Sequence, residues 1–395
     1  MIGLYAEKKT QLSSLSLLLY FPEGSGSDTK LSEISIKDNT VSIEQHDSIV
    51  SFLLDQTTML PSSCRGLLVN SHDELQLTIQ YLDTNTNSKT TREHLSDRFT
   101  TQTKLIEEIT QCGNNVYCCG CGQKLFNDHN KFNRILPLPS ENWSDFADMW
   151  FCHKHEEEHH DKDSRPNGLK PKPNDCLVGT TYILINSNHI KTDSVSYNNT
   201  EVVCNRCGNC IGKGSNSSKS EKEADNIKRI YLHAVMFLSP TKKIQNLLLS
   251  STSQKERLEN YLSQLILEES RLFTSFRFIV KSSDSQGKSV QILLWLLDEY
   301  VEVFQCQSSN KINQVTSIPS VKVLYRCILS TRGCRVEDKA IYKLWERDNS
   351  VHLIDLPYTL SLHLISLLIS SSKHLPFSTR QLNGFNVGLL QLQKT

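Results

Sequence analysis

The chain has 395 residues, and its 43 basic residues balance 43 acidic ones, so no overall field draws it to nucleic acid or to anionic lipid. Hydrophobic residues make up 38%, enough to bury a sizeable core, and the length suits two domains or one large elaborated one. Met1 to Lys9 has no basic stretch leading into an apolar run, and Leu15 to Phe21 is too short to span a bilayer. The expectation is a cytoplasmic or nuclear protein with no membrane contact and no direct nucleic-acid binding.

In chain order, the first hundred residues read as strands of one antiparallel sheet system. Apolar positions alternate at Ile34, Ile36, Val41 and Ile43 around the turn signal Asp38-Asn39, and again at Leu75, Leu77, Ile79 and Tyr81. Asp83 to Arg92 is polar and reads as a loop, while Leu105 to Ile109 fits a short strand or a helix equally. Ser140 to Phe151 reads as a short helix with Trp143, Phe146, Ala147 and Trp150 on one face and Ser140 as its N-cap. Two tracts are too polar to repay the entropy of ordering them and are expected as disordered insertions at 154–174 and 212–226.

Ile230 to Leu238 reads as a strand and Glu256 to Leu272 as an amphipathic helix. Apolar runs at Phe276 to Val280, Val290 to Leu297, Val301 to Phe304 and Val321 to Leu329 suggest a second sheet. Leu360 to Ile369 suggests a buried helix, and Phe385 to Leu392 closes the fold. The predicted architecture is α+β and β-dominated: a β-rich lobe over 1–240, an α+β lobe over 241–395, and two β-rich lobes stapled by a four-cysteine zinc site.

Thirteen cysteines in a chain without an export signal point first to metal ligands, because a reducing compartment disfavours a disulfide framework. The Asn-x-Ser/Thr sequences at Asn142, Asn198 and Asn216 then carry no glycan. Cys118, Cys121, Cys204 and Cys207 form two Cys-x-x-Cys-Gly knuckles. That spacing lets both sulfurs of a knuckle face one point, and the glycine permits the tight turn. Four thiolates match one tetrahedral zinc and leave no place for water, so the zinc is expected to be structural. Cys112, Cys119 and Cys210 lie close enough to leave the ligand set open. A redox Cys-x-x-Cys is the weaker reading, since neither knuckle sits at a strand-to-helix junction.

Trp150-Phe151-Cys152-His153 offers a second constellation. Cys152 beside an imidazole suits a nucleophile or, with His153, a metal ligand; a cysteine packed beneath the helix is the third reading. His155, His159 and His160 fall in a solvated tract. No phosphate loop, nucleophile elbow or metalloprotease helix is present in the sequence, which disfavours an ordinary kinase or hydrolase.

Taken in order, the first knuckle, Leu136-Pro137-Leu138-Pro139-Ser140-Glu141-Asn142-Trp143, Met149-Trp150-Phe151-Cys152-His153 and the second knuckle resemble the HECT-like proteins that bind ubiquitin-conjugating enzymes. The resemblance implies a ubiquitin-protein ligase with a ubiquitin-conjugating enzyme and ubiquitin as partners. It also implies a second possibility, a non-catalytic module that stabilises or inhibits the zinc-dependent endonuclease of pre-mRNA 3′-end cleavage through an exposed 136–153 segment. Under either, Leu136, Pro137, Leu138, Pro139, Trp143, Trp150, Cys152 and His153 are the expected partner-binding residues. The name further implies a thioester mechanism, with Cys152 as candidate catalytic cysteine. Asp355-Leu356-Pro357-Tyr358 is similar to the segment that follows the catalytic cysteine of HECT domains, and here the nearest preceding cysteine is Cys334.

Overall fold

The computed structural model describes residues 2–21, 33–45, 48–69, 74–82, 93–138, 171–198, 201–214, 226–239, 253–284, 286–308, 310–329 and 336–392. The expected loop at 83–92 lies outside them, and the expected helix at 140–151 and most of both expected insertions lie outside them too. The edges of those insertions are ordered. Lys172 O accepts from Asp175 N at 2.9 Å, Asn174 O accepts from Asn133 N at 2.7 Å, and Gly212 to Gly214 complete the strand Cys210–Gly214. Residues 171–174 and 212–214 therefore belong to the frame, because backbone pairing supplies the enthalpy that their side chains do not.

Strands dominate, as the alternation predicts. The hairpin Glu33–Lys37 with Thr40–Gln45 turns at Asp38, whose φ of +50° is tolerated by the short polar side chain. It belongs, however, to a separate four-stranded sheet with Ser48–Leu54 and Ile312–Val315, not to one sheet with Leu75–Leu82. The single antiparallel sheet expected for the first hundred residues is thus two. Val41, Ile43, Phe52 and Leu54 join Leu4, Ala6, Leu15, Leu17 and Leu19 in one buried layer between them.

The other sheet has ten strands among the described residues, and its organising element is the 20-residue strand Ser289–Ser308. The stretch read as two strands, Val290–Leu297 and Val301–Phe304, is this one strand, interrupted by register shifts near Asp298. Its first half pairs with Arg277–Ser283 and its second with Ile2–Lys9, so the irregularity marks where the sheet branches. The sheet takes strands from both sides of position 240 and crosses the boundary expected there.

Among the described residues, four α-helices complete the frame: α1 (Glu93–Cys112), α2 (Gln254–Phe273), α3 (Val336–Glu346) and α4 (Tyr358–His374). The stretch Leu105 to Ile109 lies inside α1. Helix α2 starts at a capping box, with Ser253 Oγ accepting from Glu256 N and the Glu256 carboxylate accepting from Ser253 N. Alternate residues of Ser289–Ser308 serve opposite faces: Ile292 and Leu294 share a core with α2 and α4, whereas Leu293 shares one with Tyr342 and Trp345 of α3. The first of these cores also receives Ile183, Ile185, Ile230, Cys118 and Cys204 from the region that carries the cysteine knuckles. A seven-stranded sheet, running from Val195–Asn198 at one edge to Arg134–Pro137 at the other, is the frame of that region.

Among the described residues, no helix is long and apolar enough to cross a membrane.

Candidate metal centre

Each knuckle is the tip of a tight reversal, and the two are built alike. Cys118 N donates to Gln123 O at 2.8 Å, and Cys204 N donates to Asn209 O at 2.9 Å. Gly122 N returns to Cys118 O, and Gly208 N to Cys204 O, both at 2.9 Å. Gly122 and Gly208 sit at φ of +70° and +72°, the left-handed region that a side chain disfavours, which is why both motifs end in glycine.

The first knuckle is fixed by the strand pair Val116–Cys118 with Val235–Phe237, where Cys118 lies opposite Val235 and Cys119 N donates to Ala234 O at 3.0 Å. The second closes the hairpin Glu201–Cys204 with Cys210–Gly214, and Asn205 ties its turn to the carbonyls of Asp193 and Val195 at 3.0 and 3.1 Å.

Placed on these frames, the sulfurs converge. Cys118 Sγ lies 3.6 Å from Cys207 Sγ and Cys121 Sγ lies 3.7 Å from Cys204 Sγ, and all four lie within 4.8 Å of one another. Zinc–sulfur bonds of about 2.3 Å place the corners of a tetrahedron about 3.8 Å apart, so the set fits one soft tetrahedral cation. The same geometry separates these four sulfurs from the other cysteines nearby. Cys210 Sγ faces Gly212 O at 3.6 Å and Cys119 Sγ meets Asn209 Nδ2 at 3.9 Å, and neither these two nor Cys112 joins the cluster.

The electrostatics of the cluster are uneven. Burial, opposed by the amide of Gly120 and joined by the neighbouring Cys204 and Cys207 sulfurs, pushes the Cys118 thiol up. Burial acts on Cys204 in the same sense, yet the amides of Cys207 and Arg206 hold it below its ordinary value. The backbone thus favours the Cys204 thiolate, while burial disfavours that of Cys118.

The expected partner-binding residues divide. Leu136 and Pro137 lie on Arg134–Pro137, which runs parallel to Asp175–Val178 and is fastened to it by the Arg134–Asp175 pair. Leu136 is exposed, but Leu138 is buried, its N–H donated to Val178 O and its carbonyl accepting from Gln102 Nε2. The surface expected to be exposed from 136 onward is therefore interrupted at Leu138, which the backbone pairing and Gln102 hold inside the fold. Pro139, Trp143, Trp150, Cys152 and His153 lie outside the described residues.

Leu356-Pro357-Tyr358 is the start of α4: Pro357 is its N-cap and Tyr358 N donates to Glu201 Oε1 at 3.1 Å. Its role here is to join that helix to the hairpin of the second knuckle.

Sequence reasoning missed a cavity of about 250 Å³ lined by residues from 138 to 355, among them Thr181, Tyr182, Arg229, Tyr261 and Glu268. These belong to separate segments with no shared motif, so no local pattern announces them.

The chain is 26% identical over 425 residues to a Homo sapiens protein named as an E3 ubiquitin-protein ligase, covering 98% of this chain and 97% of that protein. The Mus musculus protein of the same name is 28% identical over 404 residues with the same coverage. A Saccharomyces cerevisiae protein, YJR141W, is 30% identical over 100 residues, 25% of this chain and 28% of its own length. No solved structure matches. The family model described as HECT-like ubiquitin-conjugating enzyme (E2)-binding matches residues 7–387, from the first strand of the ten-stranded sheet to its last, and the chain belongs to that family.

Proposed function

We propose that the protein is a ubiquitin-protein ligase that binds a charged ubiquitin-conjugating enzyme and promotes transfer of its ubiquitin to a lysine, and that Cys118, Cys121, Cys204 and Cys207 hold a structural zinc. The observation that supports the ligase reading is a family match spanning nearly the whole chain, together with relatives named as ligases over almost their full length. The zinc reading is supported by four sulfurs at tetrahedral spacing. Zinc closed in by four thiolates has no site for substrate, so its role is to fasten the two knuckles and, through them, the sheet that carries Leu136 and Leu138.

Cys152 is the proposed acceptor if ubiquitin passes through the ligase. Burial pushes the thiols of Cys176, Cys210 and Cys327 up to about 12, which leaves them inert as nucleophiles at neutral pH. Neither the family model nor the names of the relatives mention an endonuclease, and the buried Leu138 does not favour a cap on a nuclease.

The test is single-turnover discharge. Conjugating enzymes preloaded with labelled ubiquitin are mixed with the protein, and loss of the enzyme's thioester is followed on non-reducing gels. Acceleration of discharge by at least one enzyme is expected, and failure across a complete panel would reject the ligase reading.

A further inference from the structure

The cavity missed by sequence reasoning lies where the seven-stranded sheet, α2 and the edge strand Val351–Ile354 meet. Its walls are aromatic and charged. Arg229 stacks on Tyr182 at 4.2 Å, and Tyr261 packs 5.7 Å from Tyr231. Glu268 is bonded to Thr180 Oγ1, and Glu269 lies 3.2 Å from His352, whose ring stacks on Phe273.

Three carboxylates, Glu268, Glu269 and Asp355, line it against the guanidinium of Arg229, and Asp355 is paired with Lys213. The carboxylates outnumber Arg229 and Lys213 by one. Thr181 also lines the cavity, is only 3% exposed, and its hydroxyl has no hydrogen-bond partner. A buried hydroxyl left without a partner costs free energy, so it marks a place where a ligand's polar group is wanted. Beside the opening, Phe273 is 42% exposed and Leu353 is 56% exposed, a patch of apolar surface against a polar, aromatic hollow.

We infer that this cavity is a docking site for an arginine or lysine side chain presented by a protein partner, with Phe273 and Leu353 receiving the apolar residues that flank it. The carboxylates neutralise the cation, and Thr181 supplies one further hydrogen bond to the incoming segment. An apolar rim beside an anchor hollow suits a protein rather than a free amine, since most of a protein interface's energy comes from such an anchored side chain and its dry surroundings. The inference rests on the ligase reading in naming the conjugating enzyme as the partner. Leu138, at the end of the Leu-Pro-Leu motif, lines the same hollow and ties the motif to it.

The full-length protein is tested in two ways. Affinity for the conjugating enzymes that respond in the discharge assay is measured for wild type, for Glu268→Gln with Glu269→Gln, and for Leu353→Asp, with Leu12→Asp as an exposed apolar control. Separately, methyl resonances of Thr181, Leu265, Leu353 and Ile354 are followed as the peptide acetyl-Gly-Arg-Gly-amide is added, with acetyl-Gly-Gln-Gly-amide as the neutral comparison. Expected are a tenfold or greater weakening in both cavity variants, none in the control, and shifts caused by the arginine peptide alone.

Unchanged affinity in the cavity variants overturns the docking site while leaving the ligase reading intact. Shifts with the arginine peptide, in a protein that engages no conjugating enzyme, uphold the cation site and reject the ligase reading instead. No shifts and no weakening reject the site outright. A concentration-dependent dimer that Leu353→Asp dissolves would assign the surface to a second copy of the chain and overturn the proposal. Thermal unfolding at the wild-type temperature is required of every variant, and a Glu268→Gln single substitution, which keeps the bond to Thr180, replaces the double variant if that one fails to fold.

Discussion

Glu7 Oε1 accepts from Lys322 Nζ at 2.6 Å, joining the first strand of the protein to a strand 315 positions later across the intervening strand Ser289–Ser308. Tyr5 donates to the same oxygen, also at 2.6 Å, and both Glu7 and Tyr5 are buried. Segments from opposite ends of the sequence are therefore bound into one sheet by a charge pair as well as by the backbone ladder.

Breaking that pair should be costly because it leaves one charge stranded. Glu7→Ala is expected to lower unfolding stability by about 3 kcal/mol, whereas Glu7→Leu with Lys322→Met should cost far less, since removing both charges also removes their desolvation penalty. The pH dependence follows from the carboxyl. Burial would raise its value, but Lys322 and the Tyr5 hydroxyl outweigh burial and hold it below the ordinary carboxylate range. Its contribution is thus complete above an unfolded value of about 4.3 and is lost as pH falls through the lower folded value. Urea denaturation at pH 7 and at pH 3 should show the Glu7→Ala deficit shrinking in acid.

The metal prediction is stoichiometric. Purified protein should carry about one zinc per chain, and Cys118→Ser or Cys207→Ser should abolish tight binding and destabilise the fold severely. Cys119→Ser, Cys210→Ser, Cys306→Ser and Cys327→Ser should leave the zinc content unchanged, because none of these sulfurs lies in the cluster. Elemental analysis with chelator competition reads both outcomes, and a well-folded, metal-free preparation would refute the site.

The two knuckles were legible because their chemistry is local: spacing and a terminal glycine set the geometry within a single turn. So were the helix Gln254–Phe273, with its full apolar stripe, and the hairpin around Asp38. What the sequence hid is non-local or interrupted. Asp298-Glu299-Tyr300 separates two apolar runs in the sequence yet lies within the continuous strand Ser289–Ser308, where a register shift absorbs it. Helix Glu93–Cys112 carries four threonines, which are poor helix formers, and its first half is polar enough that only Leu105 to Ile109 stood out in the sequence. The pairing of Ile2–Lys9 with Ser289–Ser308 leaves no mark in either segment, and the cavity walls come from segments that only the fold brings together.

Gly212 joins the second knuckle to the cavity. A Cβ there would lie 2.3 Å from Arg229 O and 3.0 Å from Ile230 Cδ1, a clash with backbone that only a strand shift relieves. Gly212→Ala should cost about 2 kcal/mol or more and displace Arg229 from the face of Tyr182. Gly208→Ala is the informative contrast. Nothing lies within 4 Å of its Cβ, so its penalty is the positive φ alone, about 1 kcal/mol, with zinc retained. Thermal unfolding and zinc content separate the two effects, and equal penalties would refute the clash.

Cys152 carries the sharpest functional test. If ubiquitin passes through the ligase, the Cys152 thiolate attacks the thioester carbonyl of the loaded conjugating enzyme, whose own sulfur leaves as thiolate, and a new thioester forms at no net cost in bonds. Cys152→Ala should then abolish a reducible ubiquitin adduct while leaving zinc content and unfolding temperature near wild type. Cys152→Ser should trap an oxygen ester that survives reductant and yields to base. Cys64→Ser is the control, since Cys64 is exposed on the edge strand Thr58–Val69. An adduct that persists in Cys152→Ala and vanishes in Cys64→Ser would move the acceptor. Discharge that proceeds normally in both, with no adduct at any time, would leave a ligase that positions the conjugating enzyme without taking its cargo. Should Cys152→Ala instead cost several kcal/mol of stability, the residue belongs to packing, because only a buried side chain is so costly to truncate.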